Sequence, residues 1–182
     1  MTGSHISAEI LNQIPIFRGL DETECRALAA IAVPEVYHPR EYILHEGHTS
    51  QHLWIVMAGS CEVLRQWRSG DGTEQRTIQL AVLEPHSNFG EMSFFHPAPH
   101  SASVRAINPL ELLSISRQRF DELMSQGSPA ACKMAYNAVS SLAERIRQLD
   151  EWIIDRARRD ASGRKVEEWE DFRAKMFGGW NL

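Results

Sequence analysis

The stretch Asn88-Phe89-Gly90-Glu91-Met92-Ser93-Phe94-Phe95-His96-Pro97-Ala98-Pro99-His100-Ser101-Ala102-Ser103-Val104 is the one around which the rest of the chain is organised. A strand end meets a glycine, then one acidic residue, a short apolar helical turn, a loop punctuated by prolines, and a return strand of small residues. A glycine leading from a strand into a helical turn leaves backbone N–H groups free at one spot, which suits an anion. Glu91 stands beside it. A ligand carrying both a phosphate and a sugar hydroxyl would meet donors and an acceptor there together. By itself, a Gly-Glu pair at a strand end is also an ordinary turn with a solvated carboxylate, and small residues from Ser101 onward also suit the start of a packed strand.

On both sides of this stretch the chain reads as short β-type runs. Glu35–His38, Tyr42–His45, Leu53–Met57, Cys61–Arg68, Gln75–Leu83, Ser103–Ala106 and Leu110–Ser116 are rich in β-branched and aromatic residues. Gly47, Gly59 and the Ser69-Gly70-Asp71-Gly72 turn separate them. Many short strands at near-even spacing predict a sandwich, jelly roll or small barrel. Before them, Ser7–Asn12 reads as a short helix. Asp21 with Glu24 three residues on is a capping-box pattern for a helix over Glu22–Ala32, which Pro34 is expected to end. After them come a helix over Arg117–Ser125, a break at Gln126-Gly127-Ser128-Pro129, and a longer helix from Ala130 to about Arg159.

Along that last helix Ala135, Val139, Leu142, Ile146, Leu149 and Ile153 are spaced 4, 3, 4, 3, 4. This is a narrow a/d seam, and it favours a partner helix over a broad face laid on the chain's own sheet. A two-fold homodimer is therefore expected. Packing on the roll is the alternative. Asp160–Gly163 should end the helix, and 161–182 form an aromatic-rich tail with Trp169 and Trp180.

Composition bounds the function. The chain has 182 residues, 43% of them hydrophobic, enough for one core with appendages. Its net charge of −5 argues against a protein that coats nucleic acid. Three scattered cysteines, Cys25, Cys61 and Cys132, form no C-x-x-C pair, so neither a disulfide framework nor a cysteine zinc site is expected. His45-Glu46-Gly47-His48 with His52 lacks the spacing of a metal-binding strand pair, and no metal or other cofactor is expected. There is no G-x-S-x-G, P-loop or H-E-x-x-H, so catalysis is not expected. No signal peptide or membrane span is visible, which makes a cytoplasmic protein the expectation.

Phe89-Gly90-Glu91-Met92-Ser93-Phe94 and Pro99-His100-Ser101-Ala102-Ser103-Val104 resemble the phosphate-binding cassette of cyclic nucleotide-binding domains, the family of the catabolite activator protein and protein kinase A regulatory subunits. That cassette reads approximately F-G-E-[LM]-[AS]-L, a loop, then P-R-[ST]-A-[ST]-V. Ile14-Pro15-Ile16-Phe17 with Gly19-Leu20-Asp21, and Leu53-Trp54-Ile55-Val56 with Gly59 and Val63, are similar to the family's opening and first strands. The likeness runs from about Ile14 to Leu123.

The resemblance implies an antiparallel β-roll (jelly roll) with flanking helices and a long C-terminal helix. Residues 1–128 would form the nucleotide-binding-like domain (helices within 7–32, roll over 35–116). Residues 129–160 would be a dimer helix and 161–182 a tail, with no helix-turn-helix domain. It implies a ligand seat made by Gly90, Glu91, Met92, His100, Ser101 and Ala102, with Glu91 accepting from a ribose hydroxyl and Ser101 and nearby amides on a cyclic phosphate. Val63, Leu80 and Leu83 would wall the base, or be core. A polar residue of the long helix, Arg147 or Asp150, would reach it.

Where the family has arginine this chain has His100. Histidine lacks the permanently charged bidentate fork, and near neutral pH it is mostly uncharged. Protonated, His100 could partly replace the arginine. Arg105, five residues on, is not expected to. Two functions follow: a cAMP- or cGMP-class sensor that signals through its C-terminal helix to a protein effector, with affinity lowered by His100, or a dimeric interaction scaffold that binds no nucleotide.

Overall fold

The computed structural model describes residues 11–70 and 73–159, the side chains of 152, 153 and 156–159 apart. The expected helix over Ser7–Asn12, the tip of the Ser69–Gly72 turn and the 161–182 tail fall wholly or partly outside that range. By internal contacts the chain divides into two units, Met1–Ala138 and Val139–Leu182.

The first unit holds the roll. After a 3-10 turn at Pro15–Phe17, helix α1 spans Glu22–Ile31. Its start is the predicted capping box: the Asp21 carboxylate accepts from the Glu24 amide and Glu24 Oε2 from the Asp21 amide, both at 2.8 Å. The strands are β1 (Ala32–Tyr37), β2 (Tyr42–Leu44), β3 (His52–Ala58), β4 (Cys61–Arg68), β5 (Gln75–Leu83), β6 (Asn88–Phe89), β7 (Ser103–Ala106) and β8 (Leu110–Ser116). Helix α2 (Glu91–Phe95) lies between β6 and β7, and α3 (Arg117–Ser125) and α4 (Pro129–Arg159) follow β8. The strands form two four-stranded antiparallel sheets, ordered β1-β8-β3-β6 and β2-β7-β4-β5. This is the jelly roll that the resemblance implies, one of the three forms that the strand spacing allows.

Two details differ from the sequence expectation. Pro34 does not terminate α1, which ends at Ile31; it sits inside β1, opposite Leu113. β1 is an edge strand, where a residue without an N–H costs no ladder bond on the open side. β6, only two residues long, pairs with Trp54 and Ile55 and is too short to carry a periodicity.

The central strands of the first sheet, β8 and β3, are buried on both faces, and their sequences show why. In β3, Leu53 and Ile55 point into a core shared with the helices, while Trp54 and Val56 point into the core between the sheets. β8 alternates likewise, Leu113 and Ile115 against Leu110 and Leu112. Hence their near-continuous apolar runs, where a one-faced strand would alternate. The first turns of α4 close the helical core through Ala130, Ala131, Met134 and Ala138. Lys133 bonds Glu24 Oε2 at 2.7 Å, tying α4 to the α1 capping box.

In the second unit, Arg147 pairs with Glu144 at 2.6 Å and with Glu151 on its own helix. Val139, Ile146 and Leu149 are 66%, 56% and 54% exposed, so this stretch presents apolar side chains outward. Among the described residues no helix is long and apolar enough to cross a membrane.

Candidate functional site

Gly90 sets the geometry of the organising stretch. Its φ is +85°, in the left-handed region, and it is the N-cap of α2. A Cβ there would lie 2.6 Å from the His52 carbonyl oxygen and 2.8 Å from the Trp54 ring. Only glycine meets both constraints, a backbone turn and a close approach to β3. The turn delivers Glu91 to the first position of α2, where its side chain is buried.

Helix α2 is anchored from beneath. Phe94 is fully buried and packs edge-on against Phe95 and Phe120. Arg117 Nη1 donates to the carbonyls of Phe94 (2.9 Å) and Phe95 (3.3 Å), satisfying the helix's last acceptors. No local pattern marked Arg117 for this role, because it reaches α2 from across 22 residues.

The return segment is zipped to the loop between β2 and β3. The His100 amide donates to His48 O and the Gly47 amide to His100 O, both at 2.9 Å, and Ser103 Oγ accepts from the Glu46 amide at 2.9 Å. His100 is only 7% exposed, and both its ring nitrogens are engaged: Nε2 with Ser50 Oγ at 2.7 Å and Nδ1 with Ser93 Oγ at 2.9 Å. Burial lowers its pKa below the ordinary histidine value, and the nearby imidazoles of His48 and His52 lower it further. At pH 7 His100 is therefore neutral. Ser50 had no signal in the sequence, lying in a loop 50 residues from its partner.

The other candidates are placed as follows. Met92 is 62% exposed, Ser101 is exposed and Ala102 half-buried. Val63 and Leu83 pack against the inter-sheet core. Leu80 is the extra residue of a bulge, because Val63 faces Ala81 while Leu64 faces Gln79; it is 54% exposed. Arg105 is held by Glu62 at 2.6 Å and lies over the Tyr42 ring, so its charge is already matched. Of the seam, Ala135 packs against the helical core and Leu142 is half-buried, while the Ile153 side chain lies outside the described residues. Among the described residues no three His, Cys, Asp or Glu side chains are grouped to hold a metal ion.

The model of the cyclic nucleotide-binding domain family matches residues 34–127, just over half the chain. The Cyclic AMP receptor protein of Thermus thermophilus is 31% identical over 75% of this chain and 59% of its own length. A cAMP-dependent protein kinase regulatory subunit of Dictyostelium discoideum is 27% identical over 63% of this chain and 35% of its own. The chain thus spans between one third and three fifths of these relatives. Among solved structures, a cyclic nucleotide-binding domain from Methylobacillus flagellatus superposes with a TM-score of 0.69, covering 82% of this chain and 81% of that one at 22% identity, a likeness of fold. A cassette turn forced by Gly90, a two-sheet roll around it and a family model that matches across both make this chain a member of the cyclic nucleotide-binding domain family.

Proposed function

We propose that this chain is a regulatory module that senses a cyclic mononucleotide of the cAMP or cGMP class and has no catalytic activity of its own. The observation that carries the reading is the cassette itself: Gly90 held in a left-handed turn, Glu91 beside it, and the His100–Ala102 return strapped to the β2–β3 loop. Glu91 would accept from the ribose 2′-hydroxyl. Ser101, the adjacent amides and those of Met92–Phe94 would face the cyclic phosphate, with His100 behind them. Val63, Leu80 and Leu83 would wall the base, with Met92 over it. Ligand would bias the long helix, through which a homodimer and a protein effector would read the state.

Thermal denaturation with cAMP, cGMP and cyclic dinucleotides tests this, because a ligand that binds only the folded state raises the melting temperature. A rise with a cyclic mononucleotide that Glu91→Ala diminishes supports the sensor; no rise with any ligand overturns it. The second reading, a dimeric scaffold that binds no nucleotide, is favoured by one observation: the group in the arginine position is buried and uncharged.

A further inference from the structure

Ser50, His100 and Ser93 form a chain of hydrogen bonds with a direction. Ser93 Oγ lies 3.4 Å from the Gly90 carbonyl and donates to it, which leaves Ser93 Oγ as the acceptor toward His100 Nδ1. Both Ser93 contacts are satisfied together only in the tautomer with the proton on Nδ1, and in that tautomer the bare Nε2 accepts from the Ser50 hydroxyl at 2.7 Å. The chain runs Ser50 O–H to Nε2, Nδ1–H to Ser93, Ser93 O–H to Gly90 O. It ends on the glycine of the cassette turn, so the imidazole that would take the proton lies one serine away from the backbone that would face a ligand.

We propose that this chain makes binding at the cassette proton-coupled: an anionic ring enters together with one proton, which His100 accepts at Nε2. The proposal rests on the nucleotide-binding reading above. The step balances without breaking a covalent bond other than that to the incoming proton. Nε2 gains N–H and donates to Ser50 Oγ, the Ser50 hydroxyl turns its own hydrogen away, and Nδ1–H keeps its bond to Ser93. The acid form of the buffer supplies the proton through the solvent and is left as its conjugate base. In the free protein the charged form is disfavoured by burial and by the two titratable groups that act on His100, His48 on the preceding loop and His52 at the start of β3; the Trp54 ring, 6.3 Å away, carries no charge. A bound monoanion supplies the missing counter-charge. The seat would thus select by charge: a cyclic phosphate would bind as a neutral pair with its proton, and an uncharged nucleoside would bind without one.

Calorimetric titration of the full chain with cAMP at pH 7, in PIPES and in imidazole, reads proton uptake from the difference in apparent enthalpy. The expectation is uptake of up to one proton per ligand, with affinity strengthening up to about tenfold per unit as pH falls from 8 toward 6. Nitrogen-15 spectra should show His100 protonated at Nδ1 alone in the free protein and at both nitrogens in the complex. Adenosine should show neither effect. His100→Arg should bind cAMP with no uptake.

Binding with equal affinity at pH 5.5 and 8 and no uptake overturns the coupling and leaves the site reading intact. Uptake that persists in His100→Gln overturns it too, by assigning the proton to His48 or His52. Binding by His100→Arg with none by the natural protein at any pH shows that the histidine does not take the charge. No binding by either overturns the site reading itself.

Discussion

In the proposed reading, His100 is the position at which this cassette lacks a fixed positive charge for an anion. Losing a charged hydrogen bond costs about 1.5–3 kcal/mol, or roughly ten- to over a hundred-fold in affinity. His100→Arg should therefore tighten cAMP binding by that factor at pH 8, where the histidine is neutral, and by less at pH 5.5; calorimetry at the two pH values measures both. The same residue bears on stability. Its folded pKa lies below the value it has in the unfolded chain, so at acid pH the unfolded state binds more protons. Well above pH 6.5, from about pH 7.5, the imidazole is neutral in both states and contributes nothing to the dependence. Below it stability falls, and the fall stops once pH is under the folded-state value. His100→Gln should flatten that part of a curve of chemical-denaturation stability against pH. At Gly90 the effect is steric. A left-handed φ and a Cβ 2.6 Å from the His52 oxygen together make Gly90→Ala cost more than about 2 kcal/mol, read as a lowered denaturation midpoint.

Elements were readable where one local rule decided them. The Asp21–Glu24 box needs four residues of sequence and formed as read. Asp21→Ala removes the cap and should cost about 1 kcal/mol. Glu24→Ala should cost more, since Glu24 Oε2 also holds Lys133 of α4; urea denaturation of the two variants compares them. The cassette turn and the doubly buried β3 were legible for the same reason: glycine has few substitutes at positive φ, and Leu53–Val56 leaves no polar face. What stayed hidden depends on distant partners. Ser50 meets His100 only because the Gly47 and His48 backbone zips onto residue 100. The bulge that exposes Leu80 is set by the partner strand's register. Pro34 reads as a helix stop, and only the position of β1 at a sheet edge makes it a strand residue.

At the scale of the whole molecule, α4 is the element through which a ligand state would leave the roll. The 4, 3, 4, 3, 4 spacing along α4 concentrates Val139, Leu142, Ile146 and Leu149 on one stripe, and three of those four are more than half exposed. A helix that served only its own roll would bury such residues. Ala135, one position earlier in the series, does pack on the helical core. The change from covered to open along a single stripe suits a helix that roots in one body and pairs with a second copy further out. If so, sedimentation should show a dimer that Ile146→Asp with Leu149→Asp converts to monomer. Because both side chains lie outside the core clusters, the doubly substituted chain should keep its far-ultraviolet spectrum and the folded-monomer signature of the roll. Its affinity for a cyclic nucleotide should change only as far as dimer and ligand are coupled, and linkage requires the reciprocal: ligand must shift the dimer dissociation constant by the same factor. A dimer that survives the double substitution, or a ligand that shifts neither quantity, would remove the long helix from the signalling path.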